Sequence, residues 1–350
     1  MDAKNLLGRL IEVPGVSGYE DEVSEMIVDA FGPYCDDVRR DAFFNVYGKK
    51  TGSLEGRGPK VMLAAHMDEI GLMVKGIDDR GFISFTNIGG VDQRILLSQE
   101  VFIYGKEKLF GVIGAKPPHI QEKEETQKAM AMKDMVIDVG FSVERVKEMV
   151  SIGDLITFKS PLISLHSSNI CGKSIDDRAG VVLMYETMKE LDKLVYRGEI
   201  YFVATTQEEV GTRGAIISTY EVDPDIGIAI DVTHGDTPDA SKDDTYPIDK
   251  GPVIALGPNM HPKLSKRLMD VAKENGIDYL VEVDPGLTGT DARSMQVSRR
   301  GVPTVLVGLA LRYMHTTVET LDMDSVKKAA RLIALFIASM EEGWEECLTY

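Results

Sequence analysis

The sequence predicts an α/β protein in which helices flank a mostly parallel central sheet, with a β-rich insertion. Apolar runs alternate with helical segments in residues 1–69 and 164–350, which is the rhythm of parallel strands joined by helices. Between them, residues 70–163 contain short runs separated by turn residues, which is typical of antiparallel hairpins. We therefore expect one discontinuous α/β domain, 1–69 with 164–350, and an inserted domain at 70–163.

The first 69 residues predict two helices and two strands. Apolar residues recur at helical spacing in residues 2–12, and the sequence from Ser17 to Glu20 has the form of a capping box for a second helix that ends near Phe31. NVYGKK predicts a short strand and KVMLAAHMD a buried one.

The insertion predicts two hairpins, LMVKGI–DDRG–FISFTNI and VFIYG–KEK–LFGVIGA. The charged, Met-rich segment QEKEETQKAMAMKDM is expected to be an exposed loop, followed by a short helix, SVERVKEMV, and the strand LITF. From CGKSIDDRAG onward the alternation of strand and helix returns, with strands at EIYFVATT, IGIAIDV, PVIALG, YLVEV and TVLVGLAL. Helices are expected after Asp177, after Gly214, at PKLSKRLMDVAKENG and from about Asp324.

Composition and charge exclude several classes of protein. The chain has 350 residues and a formal net charge of -17, which argues against nucleic acid and anionic membranes as partners. The acidic excess suits divalent cations or amine-bearing substrates, although solubility alone explains it more simply. The scattered cysteines Cys35, Cys171 and Cys347 indicate a reducing compartment without a disulfide framework. With no signal peptide or membrane span in the sequence, we expect a cytoplasmic protein.

Acidic and histidine side chains follow four of the apolar runs, where parallel strands deliver ligands to one edge of a sheet. These candidates are His66 with Asp68, Glu208 with Glu209, Asp231, and His315. Burying an unpaired carboxylate is costly, so adjacent Glu208 and Glu209 after the run IYFVA favour a metal, a transferred proton, or both.

Each motif alone has an ordinary alternative. His66 and Asp68 fit a polar strand end, and an isolated Glu-Glu pair is usually solvated. Asp176 and Asp177 fit a helix N-terminus, or one of them could bridge two cations, with the other and Arg178 as supports. Gly289, Thr290 and Asp291 form a small-residue segment that suits close substrate approach and equally a plain turn. The role of His119 stays open.

Their combination favours a two-metal site. Two histidines and several carboxylates without cysteine suit zinc, cobalt or manganese. Two cations about 3.5–4 Å apart polarise a carbonyl, activate a shared water and stabilise the developing oxyanion. In such a site one adjacent glutamate can bind metal while the other acts as a general base.

Seven motifs spread over nearly the whole chain resemble the tetrahedral family of dinuclear metalloaminopeptidases, whose members are also labelled glutamyl aminopeptidase, deblocking aminopeptidase or endoglucanase. These motifs are AHMDEIG, GVIGAKPPH, KSIDDRAG, TTQEEVGTRGA, AIDV, GTDA and RYMHTTVET. The resemblance implies a dimetal exopeptidase-like catalytic domain and a barrel-like dimerisation domain at 70–163. It also implies homo-oligomers, with dimers assembling into tetrahedral dodecamers.

The resemblance further implies a role for each candidate residue. His66 and Asp231 are expected to bind one metal, Glu209 and His315 the other, and Asp176 both. Glu208 is expected to be the general base and Asp68 the support of His66, and a cis peptide bond is expected between Asp176 and Asp177. Gly289, Thr290 and Asp291 are candidate substrate contacts.

The expected function is therefore removal of N-terminal residues from short peptides by a water that two divalent metals activate, zinc or cobalt before manganese. Two alternatives remain. A glycosidase needs two carboxylates across a sugar, which adjacent Glu208 and Glu209 alone do not supply. A structural metal site in an assembly protein is usually closed and rich in cysteine, unlike this set. The preferred N-terminal residue and the native metal are not predicted.

Overall fold

The computed structural model describes residues 1–117, 119, 129–238, 240–340 and 343–348. Its α/β part begins with two helices and three strands: α1 (Ala3–Glu12), α2 (Asp21–Phe31), β1 (Asp37–Arg40), β2 (Val46–Thr51) and β3 (Lys60–His66). The capping box predicted at Ser17 is wrong. Helix α2 starts only at Asp21, because the Ser17 hydroxyl donates to Asp68 (2.6 Å) rather than capping the helix.

The insertion forms a closed antiparallel barrel in the order β4-β5-β8-β7-β6-β9. Its elements are β4 (Gly71–Ile77), β5 (Ile83–Ile88), β6 (Glu100–Tyr104), β7 (Lys108–Ala115), β8 (Met135–Asp138), α3 (Val143–Met149) and β9 (Leu155–Phe158). Closure pairs every strand of the barrel on both sides and leaves no open edge. Alternate residues such as Leu72, Val74 and Ile156 fill its separate apolar core.

The segment predicted to be an exposed loop, residues 121–135, can be compared with the structure only in part, because residues 121–128 lie outside the described residues. At its described end the prediction is wrong. Met130 and Met132 pack against the core of the barrel, and strand β8 begins at Met135. Long, flexible methionine side chains can fill such gaps even in a charged segment.

The chain then returns to the α/β part. Its elements are β10 (Ile163–Ser164), β11 (Asn169–Gly172), α4 (Ile175–Leu191), β12 (Glu199–Thr205), α5 (Arg213–Val222), β13 (Ile226–His234), β14 (Val253–Leu256), α6 (Pro262–Glu274), β15 (Leu280–Val283), α7 (Ala292–Gln296), β16 (Thr304–Leu311), β17 (Glu319–Asp322) and α8 (Met323–Ala338). Strands β10, β11 and β17 form a small sheet that the sequence did not predict. No helix in the described part of the chain is long and apolar enough to cross a membrane.

Within the described residues, eight strands form the central sheet in the order β1-β2-β12-β3-β13-β16-β14-β15. The four neighbours β12, β3, β13 and β16 are parallel to one another. Both faces are covered, since Val61 and Leu63 of β3 join one apolar cluster and Met62 and Ala64 join another. This confirms the predicted fold class. The domain boundaries and the dimerisation role of the barrel stay predictions.

Candidate metal centre and cavity

The candidate ligands meet at the carboxyl edge of the four parallel central strands. His66 is the last residue of β3, and Asp231 lies within β13, next to it in the sheet. Glu209 and His315 lie on the turns that follow β12 and β16. Asp176 comes from the start of α4. Strand order therefore brings together residues that are far apart in sequence.

Three of these residues form a group that we call the buried triad: His66, Asp176 and Asp231. One ligand atom from each lies within 4.8 Å of the others. The Nε2 atom of His66 is 3.1 Å from Oδ1 of Asp176. All three residues are at least 94% buried, with exposures of 2%, 5% and 6% respectively. Strands and a helix start, rather than flexible loops, hold this group.

Asp176, Glu209 and His315 form a second group, the loop triad, whose ligand atoms also lie within 4.8 Å of one another. His315 Nε2 is 3.2 Å from Oδ2 of Asp176 and 3.1 Å from Oε1 of Glu209. The other ring nitrogen of His315 lies 3.1 Å from the carbonyl oxygen of Gly90, just beyond the barrel strand β5. His315 has a left-handed φ of 59°, a backbone conformation that side chains rarely adopt outside functional sites.

Asp176 belongs to both triads and presents a different oxygen to each. Oδ1 faces His66 and Oδ2 faces His315. The predicted cis peptide bond between Asp176 and Asp177 is present. A carboxylate whose two oxygens face two separate donor sets has the arrangement of a ligand shared by two cations.

The centre concentrates negative charge in a buried place. Burial raises the pKa of Glu208 to about 9, and the charge of Asp231 adds to that rise. Hydrogen bonds to Asp176 and Glu209 raise the pKa of His315 to about 11, which favours the protonated, cationic imidazole when no other cation is near. Divalent cations offset the same charge, and the donors are the oxygen and imidazole groups that zinc, cobalt and manganese accept. The residues therefore fit bound metal.

Asp68 links the candidate metal ligand His66 to the glutamate pair. Its carboxylate accepts hydrogen bonds from the backbone N–H groups of Glu208 (3.0 Å) and Glu209 (3.2 Å) and from the Ser17 hydroxyl (2.6 Å). The Nδ1 atom of His66 lies 3.2 Å from the Asp68 carbonyl oxygen and 3.4 Å from its Oδ1. Burial alone raises the pKa of Asp68, but hydrogen bonding with His66 holds it below the usual range.

Glu319 is a functional candidate that the sequence did not single out. Its Oε2 accepts from the backbone N–H groups of Ile175 (2.7 Å) and Asp176 (3.1 Å), and its Oε1 accepts from that of His315 (2.9 Å). The residue is 2% exposed. One buried carboxylate therefore ties together the two chain segments that carry Asp176 and His315.

Asp177 and Arg178 were candidate supports for a bridging Asp176, and in the structure their hydrogen bonds go to other groups. Asp177 accepts from the backbone N–H of Gly180 (3.1 Å), as a helix-capping carboxylate does. In the described structure Arg178 forms no hydrogen bond or ion pair with the carboxylates of Asp176 and Asp177, and it donates instead to the carbonyls of Met67 (3.1 Å) and Val13 (2.8 Å). It is fully buried and holds the chain directly after His66, and its role as a support of Asp176 and Asp177 stays a prediction.

The candidate metal centre opens into a cavity of about 480 Å³. Gly289 and Thr290 line it, as expected of substrate contacts. Asp291 differs, because the residue is 2% exposed and its carboxylate accepts a hydrogen bond from the Thr205 hydroxyl (2.6 Å). His119 is exposed and does not line this cavity. The other lining residues include Glu208, Thr233, His234, Glu282, Asp284 and Arg293.

Comparison with known proteins agrees with this geometry. Residues 45–332 match the model of a family described as M42 glutamyl aminopeptidase. The chain belongs to the M42 family. This confirms the resemblance found in the motifs and identifies a hydrolase that acts on peptides, from a metal-dependent family.

Individual relatives match nearly the whole chain. The lysyl aminopeptidase of Pyrococcus furiosus is 37% identical over 341 residues, which cover 96% of this chain and 97% of that protein. The TET aminopeptidase of Thaumarchaeota archaeon SCGC AB-539-E09 has a TM-score of 0.93 at 31% identity and covers 99% of each chain. Pyrococcus horikoshii TET1 peptidase has a TM-score of 0.84 at 32% identity, covers 97% of this chain and 100% of its own, and is described as assembling into a tetrahedron or a large octahedral shell.

Proposed function

We propose that this M42 protein is an aminopeptidase that uses two divalent cations to remove N-terminal residues from short peptides. The observation that carries the proposal is Asp176, whose two carboxylate oxygens face the imidazoles of His66 and His315 in two separate triads. The buried triad would hold one cation and the loop triad the other, with zinc or cobalt favoured and manganese third.

Glu208 is the proposed general base. Bound cations would polarise the scissile carbonyl and make a nearby water more acidic. Glu208 takes the proton from that water as the water attacks, and returns it to the leaving amine. Glu208 lines the cavity, and among the described residues no group hydrogen bonds to its carboxylate, which leaves it available for this exchange.

Asp68 positions the groups that react. It keeps Nδ1 of His66 engaged, which leaves Nε2 directed at Asp176. Because it also holds the backbone of Glu208 and Glu209, it fixes where the base stands relative to the ligand beside it. Such orienting contacts typically account for ten- to a hundred-fold in metal affinity or activity.

The substrate is a peptide whose N-terminal residue enters the cavity beside Gly289 and Thr290. The names lysyl and glutamyl aminopeptidase within this group of proteins imply that the side chain accepted differs between members. Specificity must therefore lie in cavity residues other than the metal ligands.

Neither alternative function is favoured. A glycosidase would need two free carboxylates across a sugar, whereas Glu209 is engaged with His315 at 3.1 Å. A structural metal site would be closed, whereas this centre opens into the cavity.

We further propose that the chain forms homo-oligomers in which the barrel pairs two copies, and that the pairs build a tetrahedral dodecamer. Two observations support this proposal. The chain is similar to a protein described as assembling into such shells, and large apolar side chains are exposed on the barrel. Phe110 and Phe141 are 47% and 49% exposed. Large exposed apolar groups often mark protein interfaces.

The decisive test is Glu208→Gln, which keeps the size of the side chain and removes its basicity. We expect kcat on aminoacyl anilides to fall by about 10² to 10⁴, the usual contribution of a general base, with metal content unchanged. The matched control is Glu274→Gln on the surface of α6, where, within the described residues, the Glu274 carboxylate pairs with Arg267 alone (3.1 Å). Near wild-type turnover by Glu208→Gln would overturn the assignment.

A further inference from the structure

Two acidic side chains line the cavity away from the metal ligands. Glu282 lies on β15 and Asp284 follows directly after that strand, so the two are separated by one residue and, in extended chain, face the same side. In the described residues neither carboxylate forms an ion pair with Lys or Arg. The Glu282 carboxylate accepts from the hydroxyl of Thr233 (3.0 Å), and Asp284 accepts from the backbone N–H of Gly286 (3.0 Å).

Glu282 is electrostatically unsatisfied. Burial raises its pKa, and the neighbouring charge of Asp284 raises it further, with only the Thr233 hydroxyl and His234 opposing. Burying a carboxylate without a cationic partner is unfavourable, and an ammonium or guanidinium group placed beside it removes that cost.

The position of Glu282 relative to the metal centre suits a long side chain. Thr233, which holds Glu282, lies two residues beyond the metal-ligand candidate Asp231 on β13. Two residues of extended strand span about 6.5 Å. A lysine reaches a comparable distance from its backbone through a four-carbon stem.

One guanidinium, that of Arg293, also lines the cavity. Arg293 follows closely after Asp291, and its charge opposes the burial that raises the pKa of Asp291 to about 6. Among the described lining residues, the two carboxylates of Glu282 and Asp284 outnumber the one guanidinium of Arg293, so this part of the cavity keeps a net negative charge.

We propose that Glu282 and Asp284 form the subsite for the N-terminal side chain and that this subsite prefers lysine or arginine. The proposal rests on the aminopeptidase function proposed above. It makes Glu282 and Asp284 specificity determinants with no part in the bond cleavage itself.

The test compares lysyl, leucyl and glutamyl anilides on the metal-loaded wild type and on Glu282→Gln. We expect the wild type to show a kcat/KM at least about tenfold higher for lysyl than for leucyl or glutamyl substrate. Glu282→Gln should lower kcat/KM for the lysyl substrate far more than for the leucyl substrate, so that most of that advantage is lost. The control variant Glu274→Gln should behave as wild type. A wild-type preference for leucyl or glutamyl substrate, or an equal loss on all three, would overturn the proposal.

Calorimetric titration with the free amino acids separates failure of the subsite from failure of the chemistry. L-lysine should bind at least about tenfold more tightly than L-norleucine, which has a similar stem but no ammonium, and Glu282→Gln should abolish the difference. If no anilide is hydrolysed, the proposed function fails. In that case, tighter binding of lysine would still support the subsite, and equal binding would reject it.

Discussion

The two triads share Asp176 yet differ in what holds them. The buried triad stands on adjacent strands β3 and β13, and its histidine is 2% exposed. Two members of the loop triad, Glu209 and His315, lie on turns. His315 contacts the carbonyl oxygen of Gly90 next to the barrel, and its side chain is 32% exposed. Paired strands hold ligands more rigidly than turns do. We therefore expect the buried triad to bind its cation more tightly and the loop triad to exchange its cation more readily.

The largest expected effect follows from removing the ligand that both triads share. Asp176→Asn should lower kcat/KM by more than about a hundredfold, because even residues that only orient ligands contribute ten- to a hundred-fold. Metal analysis should show loss at both positions. By contrast, Asp231→Asn and His315→Gln should each lose one cation, and full retention of metal by Asp176→Asn would contradict the shared role.

A smaller effect is expected from Glu319→Gln. The amide keeps one oxygen acceptor but cannot serve the N–H groups of both Asp176 and His315. We expect metal affinity to fall by about tenfold, with the greater loss in the loop triad, where Glu319 holds two of the three ligand-bearing segments. Cobalt titration followed by absorbance measures it. Unchanged affinity in a variant with wild-type Tm would contradict the positioning role, and Glu274→Gln is again the control.

The smallest effect tests the contact between the barrel and the loop triad. A Cβ added at Gly90 would lie 2.8 Å from Nδ1 of His315, which must then shift. Gly90→Ala should weaken the loop-triad cation a few-fold and leave the buried triad unchanged. The matched control in the same barrel is Gly114→Ala, where nothing lies within 4 Å of the added carbon. Equal weakening of both cations would remove the distinction between the triads.

The sequence pointed to the residues that meet in the two triads better than to the residues that hold them in place. His66, Glu209 and Asp231 can be recognised from the local sequence. Each lies at or shortly after the end of an apolar run, and a carboxylate or imidazole in that position is unusual for a buried strand. Glu319 gives no such signal. It lies 143 residues from Asp176, and only the folded chain shows that its carboxylate accepts the Asp176 N–H.

Other contacts escaped prediction for the same physical reason. Ser17 looked like a helix cap, and tertiary structure gave its hydroxyl a stronger acceptor in the buried Asp68. Glu282 lies in a strand of alternating exposure, so the sequence alone indicates an ordinary surface residue. Only the folded chain shows that Thr233 of a different strand donates a hydrogen bond to it. Roles within the glutamate pair came from the family resemblance, since strand geometry alone does not separate Glu208 from Glu209.

Timed chelation of the metal-loaded protein tests the central claim most directly. Samples taken during incubation with a chelator are assayed for bound metal and for aminopeptidase activity. We predict two cations per chain that leave in two phases: a fast loss that Gly90→Ala accelerates, and a slow loss from the buried triad that it does not affect. A single cation per chain, or one phase of release that Gly90→Ala leaves unchanged, would contradict the two-triad account.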